Sequence, residues 1–141
     1  MKRFLRFVCL ALVLATLVTI PAYAVEQSER ASSFFSSYKA YCHAASSTQL
    51  QVYFSVMSVG TMSKLGASKV KVQRSSDGTN WTTVKTFTKE DYPSMIDDNT
   101  AFHAATLTCT KTSVYYYRAY VEFYAKNSTG TGELNYYTAN I

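Results

Sequence analysis

The stretch LQVYFSV, Leu50 to Val56, limits this chain more than any other. Leu50, Val52, Phe54 and Val56 fall on one side of an extended backbone, and Gln49, Gln51 and Ser55 on the other. A period of two is the signature of a strand with one face buried. The period returns along the chain. Val70 and Val72 alternate with Lys69, Lys71 and Gln73. Trp81, Thr83, Lys85 and Phe87 form one side of a third run, and Phe102 through Leu107 suggests a fourth. Val114 to Ala125 is long and aromatic, Leu134 to Ala139 closes the chain, and Tyr38 to Ala44 opens the series. Beyond residue 37 no run of ten or so residues holds a helical period, and Ser, Thr and Tyr abound, which favours sheets. The expected fold class is therefore all-β, an antiparallel β-sandwich of about seven strands, with Leu50, Val52, Phe54, Val70, Val72, Val121 and Phe123 inside.

The connections agree with that reading. Ser76-Asp77-Gly78-Thr79 is a turn signal, with Gly78 free to take positive φ. Trp81 then begins the return strand, where its indole is expected to cover the end of the core. Lys89 to Thr100, KEDYPSMIDDNT, reads as a long acidic connection, because Pro93 makes a poor central strand. Asp91, Asp97, Asp98 and Asn99 carry oxygens suited to calcium, but their order does not match an EF-hand loop, and the segment is read as a solvated loop.

Two stretches carry a resemblance. VKVQRSSDGTNWTTV, Val70 to Val84, is similar to the third and fourth strands of a fibronectin type III domain with their turn. YRAYVEFYAKNSTGTGE, Tyr117 to Glu133, is similar to that family's penultimate strand and the turn into its last strand. The likeness covers most of 49–141 and implies an immunoglobulin-like sandwich of the fibronectin type III kind. Such sandwiches serve as spacers, adhesins, inhibitors and enzyme accessories, so the resemblance implies a fold before a function.

The front of the chain reads as an export signal. Lys2, Arg3 and Arg6 precede an apolar run from Phe7 to Ile20, which is short for a membrane span of roughly 20 residues. Pro21 and Ala22-Tyr23-Ala24 follow as a cleavage site. The expected organisation is a signal peptide over 1–24, a polar leader over 25–37 and one domain over 38–141. No membrane span is expected to remain after cleavage. The product would be secreted, extracellular or at the cell surface, or periplasmic in a two-membrane bacterium. The whole chain has net charge +5, but without the three basic residues of the signal 11 basic residues face 9 acids, a net charge of +2. The basicity thus belongs mostly to targeting and does not point to nucleic acid. Outside the signal, which holds Cys9, the cysteines are Cys42 and Cys109. An even pair in an exported chain reads as a disulfide, the alternative being two buried thiols. A bridge over that span would stabilise by about 4 kcal/mol in the chain-entropy picture.

Chemistry-bearing groups are sparse. His43 and His103 have no Asp or Glu at ligand-like spacing in the sequence, so no metal site is expected. No serine sits in a nucleophile elbow, and no cofactor motif is present. The aromatic load is the unusual quantity. In the long strand, Tyr115, Tyr117, Ala119, Val121, Phe123 and Ala125 share one face, and Tyr116, Arg118, Tyr120, Glu122 and Tyr124 the other. The first set is expected in the core. Of the second, Tyr116, Arg118, Tyr120 and Tyr124 form a candidate recognition surface, the alternative being cross-strand packing. The functional expectation is a secreted, non-catalytic binding or structural domain that contacts an extracellular protein or surface glycan. The alternative is an enzyme inhibitor or toxin-like protein acting through its loops, and a small hydrolase has no constellation to support it.

Overall fold

The computed structural model describes residues 33–141. The expected signal peptide, Cys9 and the leader up to residue 32 lie outside the described residues. Six strands are present: β1 (Phe35–Ala44), β2 (Gln49–Ser75), β3 (Thr82–Thr88), β4 (Ile96–Thr110), β5 (Tyr116–Asn127) and β6 (Gly130–Tyr137), with a short 3-10 turn at Pro93–Met95 before β4. All pairings are antiparallel.

One curled sheet is built around β2, a single strand of 27 residues. Two of the strands expected from the sequence, around Leu50–Val56 and Val70–Gln73, are its two halves. One edge of β2 carries β1 along 50–58 and then β5 along 64–75. The other edge carries β4 along 49–66 and then β3 along 69–74. The pairing with β4 shifts between Met57 and Met62, and Gly60 in that interval has φ +94°. A side chain is disfavoured at such a φ, and glycine lets the long strand bend. The apolar faces of the two halves then meet. Phe54 from the first half packs edge-on against Phe123 of β5 at 6.2 Å between ring centroids, and Tyr38 of β1 lies 5.6 Å from the same ring.

The core follows the alternation. Leu50, Val52, Phe54, Val70, Val72, Val121 and Phe123 are all fully buried. Burying an aliphatic or Phe side chain contributes roughly 1.5–3 kcal/mol, so this set is the main source of cohesion. Met62, Leu65, Phe87 and Met95 complete it. The domain also begins earlier than the sequence suggested. Phe34 and Phe35 are buried, and β1 starts at Phe35. Phe34 lies on Gly132 so closely that a Cβ there would come within 2.6 Å of its ring.

Two expectations are corrected. The segment 89–100 is not one long loop: it is a turn, a 3-10 turn and the first residues of β4. Asp98 pairs with Lys64 at 2.8 Å, and Asp91 accepts from the Thr88 hydroxyl at 2.9 Å. Cys42 and Cys109 are free thiols, not a disulfide. Cys42 stands opposite Val52 on β1, and Cys109 opposite Leu50 on β4, so the two flank β2 from opposite edges. Two strand spacings are about 9.5 Å, whereas a disulfide needs Cα atoms within about 7 Å. Sequence reading had the compartment argument for a bridge but not the strand that separates the two cysteines.

Candidate functional site

The outer face of the half formed by β3, the second half of β2, β5 and β6 carries the candidate surface. Alternation along β5 is regular. Tyr117, Ala119, Val121, Phe123 and Ala125 are buried, while Arg118, Tyr120, Glu122 and Tyr124 are half-buried and Tyr116 is exposed. All four sequence-derived surface residues therefore share one face, but they do not stand alone there.

Arg118 is the centre of the arrangement. Its guanidinium stacks on Trp81 at 4.2 Å from the ring centroid and on Tyr137 at 4.7 Å. Its Nε donates to Gln73 Oε1 at 2.8 Å from the neighbouring strand. A planar, permanently charged group suits this position, since its faces meet rings while its edge keeps N–H donors. Tyr137 in turn lies 4.8 Å from Tyr120. The Lys71 ammonium sits 5.5 Å from the Tyr120 ring, and Lys89 sits 4.3 Å from that of Tyr124. Lys69 pairs with Glu122 at 3.3 Å. Burial pushes the Tyr120 hydroxyl above its ordinary value, and the Glu122 carboxylate adds to the shift. Tyr120 therefore stays neutral, a donor as well as a ring.

Trp81 is the residue whose place the sequence misread. Simple alternation sets it on the same side as Lys85 and Phe87, at the end of the core. Val72 pairs with Lys85, but Gln73 pairs with Thr83, so Val84 is an extra residue on β3. Such a bulge reverses the facing of everything beyond it. Lys85 and Phe87 face inward, whereas Trp81 reaches Arg118 on the outside. The turn before it is fixed by Asp77. That carboxylate accepts from the Thr79 and Asn80 backbone N–H groups, each at 2.8 Å, and from the Asn80 amide at 2.7 Å. These bonds, with one from the Ser75 hydroxyl, hold Asp77 far below the usual carboxylate range. Gly78 takes φ +74° within the turn.

The other candidates stay apart. His43 lies 5.9 Å from the Tyr41 ring, while His103 Nε2 is 3.0 Å from the Ser94 carbonyl and its Nδ1 is 3.9 Å from Asp97. Spacing alone does not reveal the His103–Asp97 approach: both residues belong to β4, whose ladder with β2 is interrupted between them. No group of three or more His, Cys, Asp or Glu gathers among the described residues. Likewise no described helix is long and apolar enough to cross a membrane. The family models, curated proteins and solved structures compared with the chain give no match.

Proposed function

We propose that this is an exported, non-catalytic binding domain that docks a protein partner outside the cell through the outer face of β5 and β6. The observation that carries the reading is Arg118, held between Trp81 and Tyr137 and tied to Gln73. Arg, Tyr and Trp dominate the energetic centres of protein interfaces. Here they are already ordered, so little rotamer entropy remains to be lost on docking. The rings are interleaved with cations rather than left as bare flat platforms, which favours a protein over a sugar ring. Lys69, Lys71, Lys89 and Arg118 outnumber Glu122 and Glu133, so the matching surface carries carboxylates. The two stretches that resemble a fibronectin type III domain supply most of this face. An immunoglobulin-like role in adhesion or recognition is consistent with it.

The test compares the wild-type domain with the pair Tyr120→Ala and Tyr124→Ala. Both are immobilised and exposed to the native extracellular proteins, with a glycan array in parallel. A protein retained by the wild type and lost by the variant, at near-equal melting temperature, supports the reading. Retention of glycans alone, or equal retention by both forms, overturns it.

A further inference from the structure

A second site lies on the opposite side of β3, where the curled sheet opens. A cavity of about 350 Å³ there is lined by Arg74 from the end of β2, Lys85 from β3, and Cys109 and Lys111 from the end of β4 and just beyond it. Tyr92, Tyr117 and threonines at the end of β4 complete the lining. No Asp or Glu lines it. The ion pairs among the described residues, Lys64–Asp98, Lys69–Glu122 and His103–Asp97, use none of its three cations.

Three like charges around one concave space repel each other and concentrate the positive field within it. Rings hold two of them in place. The Arg74 guanidinium lies 4.6 Å from the Tyr115 ring, and Lys85 lies 5.3 Å from Phe87 and 5.8 Å from Tyr92. The Tyr117 hydroxyl accepts from the Thr112 N–H at 2.9 Å, which fixes the oxygen and leaves its proton to donate. The volume falls at the lower end of small-molecule pockets, about 300–1,000 Å³. That is too roomy for a single sulfate or orthophosphate ion and too small for a polymer segment with its side groups.

We infer that this cavity binds a compact polyanion, a small molecule carrying at least two phosphate, sulfate or carboxylate groups. Arg74 meets one oxyanion with its fork, Lys85 and Lys111 supply point charges, and the Tyr117 hydroxyl completes the donor set. The site is separate from the docking face, and neither proposal depends on the other.

Calorimetric titration of the domain with citrate and with inorganic pyrophosphate tests this, with glycerol as the uncharged control. The work is done at 0.15 M salt, where exposed charges more than about 8 Å apart are largely screened. One saturable site for citrate or pyrophosphate is expected, with none for glycerol. The anion that binds identifies whether carboxylates or phosphates are preferred. Arg74→Ala, Lys85→Met and Lys111→Met should each weaken binding about tenfold while melting near wild type. Bound anion should also slow alkylation of Cys109 by uncharged iodoacetamide several-fold, because that thiol lines the cavity. Absence of saturable binding by both anions, equal binding by all three variants, or an unprotected Cys109 overturns the inference.

Discussion

Replacing Arg118 with Ala tests the stacked cluster directly. The change removes two cation–ring contacts, at 4.2 and 4.7 Å, and one hydrogen bond of a charged donor to Gln73 at 2.8 Å. At partly exposed sites each ring contact contributes about 0.5–1 kcal/mol. The hydrogen bond is only part-buried and adds about 0.5–1 kcal/mol, below the range for buried charged bonds. The expected loss is about 2 kcal/mol. With an unfolding entropy of about 2.1 cal/mol/K per residue over roughly 110 residues, the melting temperature should fall by about 9 °C. Arg118→Lys keeps the charge but loses the planar stack and the fork, and should fall about half as far. Circular dichroism supplies the melting curves. Trp81 is the single tryptophan, so its emission reports on the same contact. If Arg118→Ala melts within a degree of wild type with unchanged Trp81 emission, the cluster does not form in solution and the docking face loses its organising residue.

Three further outcomes are expected. Gly66→Ala should cost more than about 2 kcal/mol in urea unfolding, because a Cβ at φ +157° would strike the Met95 carbonyl and lie 3.0 Å from the Ile96 Cα, whereas Gly60→Ala, with nothing within 4 Å, should cost only about 1 kcal/mol for its φ of +94°. A Gly66→Ala protein as stable as Gly60→Ala would refute the close approach of β2 to the start of β4. The Asp77 carboxylate has a folded pKa below its unfolded value of about 3.9, so its stabilisation is complete above about pH 5 and is lost as pH falls through 3.9 toward the folded value. Wild type should therefore lose stability in acid more steeply than Asp77→Asn, and parallel pH curves would contradict the turn. Finally, Cys42 and Cys109 should both take up alkyl groups in denaturant without reductant. In the native protein Cys109, only half-buried, should react before buried Cys42, both slowly because burial raises their thiol pKa values. Intact mass and peptide mapping read the result, and two unlabelled cysteines would mean a bridge.

The strands were legible wherever burial is one-sided and the ladder regular. Leu50 to Val56 and Tyr117 to Ala125 are such runs, and their inward residues sit where the alternation puts them. Continuity was not legible. β2 is one strand, but its pattern breaks near Gly60 and again at Ser68, where pairing with β5 shifts by a residue. A period-two reading sees an ending at each break. The acidic stretch before β4 misled for a different reason. Asp97 and Asp98 belong to an edge strand open to water, where charges are tolerated, and Asp98 meets Lys64 across the ladder. The candidate surface was half legible: β5 alone named Tyr116, Arg118, Tyr120 and Tyr124. Its partners Trp81, Gln73 and Tyr137 come from other segments of the chain and depend on register, which one sequence does not state.

Register also links the two proposed sites. Trp81, the residue just before β3, stacks on the outward Arg118, while Lys85 within β3 lines the cavity. Four residues apart on an unbroken strand, they would face the same way. The extra residue, Val84, separates them. Without it, one of the two side chains would have to leave its partner: the indole would turn to the core side, or the ammonium would turn out to solvent. The bulge costs one ladder position on a strand whose other edge has no partner strand, where irregularity is tolerated best. In return one short segment, β3 with the residue before it, serves both faces of the sheet. The aromatic and basic residues of this chain are thus sorted by local backbone geometry into two groups of different character. One is an ordered stack with its cations pressed on rings and facing outward. The other is a concave set of cations with no carboxylate among them, facing in.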